Sequence, residues 1–350
     1  MYAWRQPQLL AELKERIQNG VYAKKLPTGM ELAAEFNVNV KTIHKVLNQL
    51  AAGGWVERHR RTGTLIVPKD DSSVPRLIEV IFSGFTSPFQ HPFWSELFLG
   101  IHEELLRRNC RMLLNHINSD PQTHLFKISQ IQLSEAAGRI VTGPGELWLL
   151  RWIAGQPPPM ISAGDEIGDE KIPQVYFDFT HAIFGAVRYL CKERECRNIG
   201  FIGHVTSLQN PSSLQKFHAY LSAMQKFRQM NPDLVEGCWP WSGEGVLALE
   251  RMLKRIRPDA LVVAFGSQVP EIIALLKKQR LEIPVIDCDG LPIHEPYEDY
   301  HPIRVPLRQC GTIAAGLLLD AIDACRNKIQ RCPLRAVFGE GEAPGNGVSS

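Results

Sequence analysis

The N-terminal part of the chain carries apolar side chains at helical spacing, separated by residues that begin or end helices. A first helix is predicted after Pro7 and before Gly20, because four apolar residues share one face: Leu9, Leu10, Leu13 and Ile17. Thr28 followed by Glu31 forms a capping-box pattern, which predicts a short second helix from Gly29 to Phe36. Two helices are therefore expected before residue 37.

A third helix is predicted from Asn39, whose side chain can cap it, to about Ala52, where Gly53 and Gly54 follow. Its apolar residues form a stripe that packs inward: Ile43, Val46, Leu47 and Leu50. Its other face is polar: Lys41, Thr42, His44, Lys45, Asn48 and Gln49. Such a face suits the base edges and phosphates of a DNA major groove, but charged helix faces that meet only water are equally common. The third helix alone leaves both interpretations open.

A short hairpin is predicted directly after the third helix. Trp55-Val56 and Thr64 to Val67 have the pattern of two strands around a turn that contains Thr62-Gly63. Basic side chains crowd this predicted turn: Arg58, His59, Arg60 and Arg61. A basic hairpin beside a polar helix face favours DNA binding, because arginine is attracted to the negative potential of the minor groove and the backbone.

The charge of the chain is divided unevenly along its length. Residues 1–69 contain 11 of the 39 lysines and arginines and 5 of the 37 aspartates and glutamates, a net charge of +6. The remaining residues carry −4, so the overall charge of +2 conceals the division. This distribution is expected when only the N-terminal part meets phosphate.

The N-terminal part resembles the winged helix-turn-helix of the GntR family. The resemblance is carried by LPTGMELAAEFNVNVKTIHKVLNQLAAGGWV (Leu26 to Val56) and by GTLIV (Gly63 to Val67), and it covers nearly all of the first 68 residues. It implies binding to double-stranded DNA. The chain departs from the family at Asn39-Val40, where Ser-Arg is usual, and at His44, where arginine is usual. Val40 thereby removes a phosphate contact expected in the family.

Nine side chains are candidates for contacts with DNA: Thr28, Asn39, Lys41, Thr42, His44, Lys45, Arg58, Arg60 and Arg61. We expect Lys41 and Lys45 to bind mainly phosphate, because a lysine is a flexible point charge. Thr42 and His44 are expected closer to the bases.

The pattern changes after a polar segment bracketed by Pro68 and Pro75, which is typical of a linker. Strand-like and helical runs then alternate: Leu77–Phe82, Phe93–Arg108, Arg111–Asn115, His124–Leu133, Gly138–Val141, Met160–Ser162, Val175–Phe177, His181–Glu193, Ile199–Ile202, Phe217–Phe227, Ala260–Ala264, Glu271–Lys278 and Val285-Ile286. This alternation predicts parallel sheets with crossover helices, in two α/β lobes of similar size. A ligand is expected between the lobes, at the carboxyl ends of the strands.

This second part resembles the core of LacI-type regulators, which share their fold with periplasmic sugar-binding proteins. The resemblance is carried by PFWSELFLGIHEELLRRNCRMLL (Pro92 to Leu114) and by shorter pieces in family order: VYFDF (Val175 to Phe179), CRNIGFIG (Cys196 to Gly203), KFHAYLSAM (Lys216 to Met224), ALVVAF (Ala260 to Phe265), CDG (Cys288 to Gly290) and VPLRQCGTIAAGLL (Val305 to Leu318). It implies a small-molecule effector site between the lobes.

The resemblance assigns effector contacts to Lys216 and Asp289. Lys216 stands where an arginine is common and keeps the charge without the planar two-pronged donor. Asp289 matches the family's aspartate and could accept hydrogen bonds from hydroxyl groups, or cap the following turn. Gly266-Ser267 replaces a usual Asn-Asp pair. The effector therefore differs from a simple pentose or hexose, or effector sensing has weakened.

Aromatic side chains are further candidates for effector contacts. Phe85, Phe93 and Trp94 lie where the first strand and first helix of the second part would face the cleft, and aromatic faces stack on sugar rings or bases. Core packing is the alternative for Phe93.

Composition excludes several other classes. With 44% hydrophobic and 22% charged residues, the chain is typical of globular proteins. No run approaches the ~18 apolar residues of a membrane span, and Met1 to Leu13 lacks the apolar core of a signal peptide, so a cytoplasmic location is expected. The eight cysteines are scattered without a C-x-x-C pair. We therefore expect reduced thiols, no metal site and no cofactor.

An enzyme or a solute-binding protein using the same fold is the alternative function. Ser213 to Lys216 gives a Ser-x-x-Lys pattern that occurs often by chance, and no G-x-S-x-G or H-E-x-x-H motif is present. The glycines of Gly339 to Gly347 follow no phosphate-binding pattern. A solute-binding protein would need an export signal and would have no use for a basic N-terminal part. We expect no catalysis.

The expected fold class is α/β with four segments: a winged helix-turn-helix domain (1–68), a linker (69–75), a two-lobed periplasmic-binding-protein-like core of parallel sheets flanked by helices (76–340) and a flexible tail (341–350). The combination resembles the AraR-like type of transcriptional regulator. It implies a homodimeric repressor that binds operator DNA and responds to a sugar-like effector between the lobes.

Overall fold

The computed structural model describes residues 6–18, 21–22, 24–52, 55–59, 62–66, 75–84, 89, 92–118, 131–143, 147–205, 214–227, 229–239, 243–293, 296–324 and 331–339. The chain divides into two compact units, Met1–Pro75, called the head below, and Arg76–Ser350, called the body. Except for Pro75, the predicted linker (69–75) and tail (341–350) lie outside the described residues.

The head consists of three helices and a hairpin: α1 (Gln6–Gln18), α2 (Gly29–Glu35), α3 (Val40–Ala52), β1 (Val56–His59) and β2 (Gly63–Ile66). The two strands are antiparallel, with Val56 opposite Ile66 and His59 opposite Gly63. Lys25 forms an isolated bridge with Leu65, so the segment before α2 lies along the hairpin. The described helices and strands are those of the winged helix-turn-helix that the sequence predicts.

The core of the head uses the predicted apolar positions. Side chains that are at most 1% exposed come from all three helices: Leu9, Leu13, Leu32, Ile43, Val46, Leu47 and Leu50. Trp55 and Val56 complete this cluster at the start of the hairpin. Burial of one such aliphatic side chain contributes about 1.5–3 kcal/mol. A small domain has few of them, so each is important for the stability of the head.

The first lobe of the body contains β3 (Arg76–Gly84), α4 (Pro92–Arg107), β4 (Cys110–Asn118), β5 (Gly138–Thr142), α5 (Leu147–Ala154), β6 (Met160–Gly164), β7 (Gln174–Asp178), α10 (Leu307–Asp323) and β13 (Arg331–Arg335). Its sheet has the order β13-β7-β6-β5-β3-β4, and every pair of strands is parallel. Val80 and Phe82 of β3 belong to the core shared with α4 and α10, whereas Ile81 belongs to the core shared with α5. Both faces of the sheet are therefore covered by helices, as in α/β proteins generally.

The second lobe contains α6 (Thr180–Lys192), β8 (Ile199–Gly203), α7 (Gln215–Phe227), β9 (Val235–Gly237), α8 (Glu244–Arg255), β10 (Ala260–Val263), α9 (Val269–Lys278), β11 (Val285–Asp287), β12 (Tyr300–Arg304) and β14 (Val337–Phe338). Its sheet has the order β14-β12-β11-β10-β8-β9. All pairs are parallel except β12 with β14. Helices α8 and α9 cover one face, and α6 and α7 cover the other.

The chain crosses between the two lobes at three places, residues 178–180, 304–307 and 335–337. The first and third crossings touch, because Ala336 N donates to Asp178 O at 3.0 Å. Phe179 lies in the first crossing and is buried. The crossings therefore form the only covalent hinge that the described residues provide between the lobes.

Helices α4 and α10 pack unusually closely in the first lobe. A β-carbon at Gly100 would overlap the carbonyl oxygen of Arg308, and one at Gly311 would overlap the carbonyl oxygen of Leu97. Larger residues at either position would push the helices apart, so both glycines are required by the packing.

Two local predictions differ from the structure, and seven elements of the body were not among the predicted runs: α5, β9, α8, β12, α10, β13 and β14. Of the predicted helix 124–133, residues 131–133 are not helical, and residues 124–130 lie outside the described part. The adjoining Ser134 is held by the sheet, since its N and Oγ both donate to Glu79 Oε1 of β3, at 3.0 and 2.9 Å, and this competes with continuing a helix. Arg58 and His59, predicted in the hairpin turn, belong to β1. Strand β13 was not predicted, because Pro333 argues against a strand except at a sheet edge, which is where β13 lies.

Candidate DNA-binding surface and ligand cleft

The polar face of α3 is exposed in the head. Ile43, Val46, Leu47 and Leu50 are buried, as the sequence predicts. The opposite side carries five exposed polar side chains: Lys41, His44, Lys45, Asn48 and Gln49. Thr42 lies at the edge of this face and is half-buried. The amphipathic pattern thus places cations, an imidazole and amides together on one surface of the head.

Thr28 and Asn39 stand at the starts of the two helices of the helix-turn-helix. Thr28 Oγ1 accepts from Glu31 N at 3.3 Å, while Glu31 Oε2 accepts from Thr28 N at 2.7 Å, which is the predicted capping box. Asn39 Oδ1 accepts from Lys41 N at 2.8 Å. Both side chains remain exposed, although each already caps a helix.

Arg58 contacts α3. Its Nη1 donates to Asn48 Oδ1, and its Nη2 lies 3.0 Å from His44 Nδ1. A concave surface of about 480 Å³ opens beside these contacts. Its lining includes Lys25, Thr28 and Gly29 as well as the three bonded side chains. Arg60 and Arg61, the other predicted hairpin contacts, lie outside the described residues.

Lys216 and Asp289 meet in the body. Lys216 is the second residue of α7, and Asp289 follows β11, so both sit at the carboxyl-end edge of the second sheet. Lys216 Nζ donates to Asp289 Oδ1 and, at 2.7 Å, to Ala264 O. It also lies 4.5 Å from the ring centre of Phe179. Asp289 Oδ2 accepts from Gly266 N at 2.9 Å.

Lys216 stays protonated despite its enclosure. Burial alone would lower the pKa of Lys216, but attraction and hydrogen bonding from Asp289 outweigh burial and raise it. Gly290, directly after Asp289, has φ +61°. A side chain there would be strained and would overlap Ile303 O, so glycine allows the turn that presents the Asp289 carboxylate.

Asp165 is a polar residue of the cleft that sequence reasoning missed. It follows Gly164 at the end of β6 in the first lobe. Burial raises its pKa to about 6, Asp289 adds to the rise, and Lys216 opposes it. Among the described residues no donor bonds its carboxylate. The signal that could have found it is its place directly after a buried parallel strand, where ligand-binding groups collect.

Gln215 connects the two lobes beside this cluster. Its Nε2 donates to Glu166 Oε2 of the first lobe at 2.9 Å, and its Oε1 accepts from the backbone N of Phe179 at 3.0 Å. Arg331 of β13 donates to the other oxygen of Glu166 at 2.8 Å. The first turn of α7 is therefore bonded to the first lobe and to a crossing segment.

The aromatic candidates are distributed differently from expectation. Phe93 is 7% exposed and packs against Phe177 with ring centres 5.7 Å apart, which is the core position that was the alternative. Trp94 is half-buried and packs edge-on against Phe82 at 5.4 Å. Phe85 lies outside the described residues.

Other aromatic residues stand at the cleft edge of the second lobe. Trp239, two residues beyond β9, is 53% exposed and lies edge-on to His204, which follows β8, with ring centres 4.7 Å apart. Phe265 follows β10 and lies 6.5 Å from the same imidazole. The sequence offered the same signal as for Asp165, since all three follow strands.

Two kinds of site are not found among the described residues. No group of three or more histidine, cysteine, aspartate or glutamate residues there could hold a metal ion. No described helix is long and apolar enough to span a membrane. The seven described cysteines are free thiols.

Fold and sites define a class: a DNA-binding regulator in which a winged helix-turn-helix head is joined to a two-lobed ligand-sensing body. The pattern described as "Bacterial regulatory proteins, gntR family" matches residues 6–66, and "Periplasmic binding proteins and sugar binding domain of LacI family" matches residues 85–290. The chain belongs to the latter family and carries a GntR-type head. It is a transcriptional regulator with an effector domain of the sugar-binding type.

Individual relatives agree in architecture. The chain is similar to an arabinose metabolism transcriptional repressor of Geobacillus stearothermophilus, with 25% identity over 86% of this chain and 85% of that protein. A complex of the transcriptional regulator CelR with cellobiose matches with a TM-score of 0.65 and 17% identity, over 90% of this chain and 98% of that one. A lac repressor dimer bound to operator and the anti-inducer ONPF matches with a TM-score of 0.61 and 13% identity, over 76% of this chain and 93% of that one.

Proposed function

We propose that this protein represses transcription by binding operator DNA through its head, and that a sugar-like effector bound in the cleft of the body changes its affinity for DNA. The observation that carries the proposal is the exposed polar face of α3 in a GntR-type head. Repression is supported by the similarity to an arabinose repressor. Because the proposed function is to bind operator DNA, we propose a cytoplasmic location.

The proposed DNA contacts follow the chemistry of each side chain. Lys41 and Lys45 are exposed cations that bind phosphate, and Thr42 and His44 approach bases from the same face. Thr28 and Asn39 sit at helix starts, where backbone N–H groups and a small polar side chain suit phosphate oxygens. Arg60 and Arg61 remain proposed contacts from the hairpin.

The cleft favours an uncharged, hydroxyl-rich effector. The donors of Lys216 already serve Asp289 and Ala264, so the lysine has little left to offer an anion. Asp165 presents acceptors that no described donor occupies, and a hydroxyl group could satisfy them. Trp94, Trp239 and His204 supply ring faces and edges of the kind that pack on sugar rings. Phe85 remains a proposed contact, whereas Phe93 acts by packing beneath the cleft.

We further propose a homodimer that joins through the first lobe. Leu99 and Leu106 on α4 and Leu113 on the edge strand β4 are exposed, at 37%, 61% and 37%. Two heads would then reach two half-sites of a roughly palindromic operator. Closure of the cleft by effector would shift the lobes and change DNA affinity by the effector's differential binding to the two states, typically about 1–3 kcal/mol.

The DNA arm of the proposal is tested by fluorescence anisotropy on labelled duplexes at several salt concentrations. The logarithm of affinity should fall with the logarithm of salt by about 0.9 per phosphate neutralised. K41A/K45A should weaken binding to every sequence, whereas H44A should change sequence preference. A flat salt response contradicts DNA binding through the head, and equal losses on all sequences from both variants contradict the division of roles.

The effector arm is tested by a thermal-shift screen of the full chain. The panel includes arabinose, because of the repressor relative, cellobiose, because of the CelR complex, and their phosphorylated forms. A neutral sugar should raise Tm and alter operator affinity, and D165N should abolish that rise. A phosphorylated sugar as the sole binder contradicts the chemistry assigned to the cleft, and turnover of any ligand contradicts a purely regulatory role.

A further inference from the structure

Arg58 holds two side chains of the recognition surface at once. His44 and Asn48 are four residues apart on α3, so they share one face of the helix. Nη2 of Arg58 lies 3.0 Å from His44 Nδ1, and Nη1 donates to Asn48 Oδ1. The guanidinium of Arg58, on β1, therefore contacts two side chains that lie one helical turn apart on the exposed face of α3.

The chemistry of the guanidinium fixes the hydrogen-bonding roles of both partners. Because arginine has N–H donors and no acceptor, His44 Nδ1 must accept, and the imidazole proton must lie on Nε2. By the same reasoning Asn48 turns its carbonyl oxygen toward Arg58 and its NH₂ group away. Both side chains are left with donors on their remaining edges.

The exposed side chain of His44 lines the concave surface. Gly29 lies beside this imidazole, since a β-carbon at Gly29 would be in ordinary contact with Nε2, at 3.6 Å. Lys25 also lines the concave surface, and Lys41 and Lys45 lie exposed on the same helix. Lys25 therefore adds a cationic donor to the concave surface, whose lining also includes the hydroxyl groups of Thr28 and Thr64.

We propose that Arg58 is a positioning residue for DNA reading. By holding His44 as the Nε2–H form and the Asn48 amide with its NH₂ outward, it makes α3 select hydrogen-bond acceptors on base edges, such as guanine O6 and N7, and reject donors such as cytosine N4. This inference rests on the proposed DNA binding. It differs from the sequence-based expectation, in which Arg58 contacts DNA directly.

The first test uses the free full-length protein. Two-bond ¹H–¹⁵N correlations at pH 8 report which imidazole nitrogen of His44 carries the proton, with H44Q to assign the signal. Wild type should show a single Nε2–H tautomer whose Nδ1 signal has the shift of a hydrogen-bonded acceptor, and R58A should lose that shift. A wild-type Nδ1–H form, or signals unchanged by R58A, overturns the proposal.

The second test measures sequence preference and salt dependence together, by selection from a pool of randomised duplexes. R58A and R58K should both lose roughly tenfold preference at one or two base positions, because lysine cannot span two acceptors. Their salt slopes should stay at the wild-type value. K45A is the matched control: its slope should fall by about 0.9 while its preferences are kept.

A different pattern of losses would contradict the positioning role of Arg58. If R58A weakens all duplexes alike and lowers the salt slope by about 0.9, and R58K restores both, then Arg58 is a phosphate contact and the positioning role is wrong. If wild type binds no duplex at low salt, the proposed function itself fails, together with the reading role. Far-UV circular dichroism of each variant checks that the head remains folded.

Discussion

Replacing Asp165 by asparagine should stabilise the protein at pH 8 while removing effector binding. The Asp165 carboxylate is enclosed in the cleft without a described donor, and burial raises its pKa from 3.8 to about 6. For an acid whose pKa is higher in the folded state, stability is full below pH 3.8, falls as the pH rises toward 6, and stays reduced above it. The ionised carboxylate therefore costs stability at neutral pH.

The size of the effect follows from the shift. The rise of the Asp165 pKa from 3.8 to about 6 corresponds to a free energy of about 3 kcal/mol, because one pKa unit is worth about 1.36 kcal/mol. Because Asp165 is only half-buried, solvent screening reduces this energy, and we expect about 1–2 kcal/mol to be recovered by D165N. For a body of this size the gain is a Tm increase of roughly 3–6 °C. Asparagine cannot become charged, so the gain should shrink as the pH falls from 8 to 4.5.

The assay is urea and thermal unfolding followed by tryptophan fluorescence at both pH values, with D287N as the matched control. Burial also raises the pKa of Asp287 to about 6, but Asp287 accepts hydrogen bonds from Asp289 N, Leu291 N and Tyr300 Oη at 2.8, 3.0 and 2.8 Å. D287N weakens these bonds and should destabilise the body. The reasoning is refuted if D165N lowers Tm at pH 8, or if its gain is the same at pH 4.5.

Three further substitutions test other parts of the structure. R139M should cost about 3–5 kcal/mol in urea unfolding, because it leaves Glu79 charged and buried. E79Q/R139M removes that charge but keeps an acceptor for Ser134 and Asn115, so it should recover much of the loss; equal losses would contradict this. L50A should cost about 3 kcal/mol in the head, and we expect DNA binding lost with effector-induced thermal shifts retained; intact DNA binding would contradict it. Q215A removes the bonds to Glu166 and Phe179 and should raise the effector Kd by about 5- to 30-fold in calorimetry; an unchanged Kd would show that these bonds do not contribute to effector binding.

Local periodicity in the sequence predicted the helices of the head and many elements of the body, but helices α5 and α8 were not among the predicted runs. The apolar face of α3 was predictable because Ile43, Val46, Leu47 and Leu50 repeat at helical spacing. A helix that packs against a core on one side requires this spacing. The buried strands were readable as short apolar runs between turns. Strand β13 and strand β14 were not, because they are short edge strands, and a proline or a two-residue length gives no period.

The candidate sites were predictable only one residue at a time. Lys216 and Asp289 were each found by resemblance, but their contact joins positions 73 residues apart, and no local pattern encodes it. Arg58 was identified as basic and assigned to a turn. Its actual partners depend on the pairing of β1 with β2, which sets Arg58 opposite Thr64 and fixes its distance from α3. Asp165 was overlooked because an aspartate directly after a glycine commonly indicates a turn and not a binding site.

The contacts around Phe179 explain how an effector could act on the lobes. Phe179 lies in the first crossing, its backbone N donates to Gln215, and its ring lies under the ammonium of Lys216. A ligand that bonds Asp165 and competes for Asp289 would change the electrostatic field on Lys216, and therefore the contact of α7 with the crossing. Because the neighbouring crossing is bonded to the first through Ala336 and Asp178, a shift at Phe179 is shared by two of the three connections. In the proposed mechanism, effector binding would be coupled to lobe movement through this short, buried segment, and substitutions there should alter both the affinity for effector and the response of DNA binding to it.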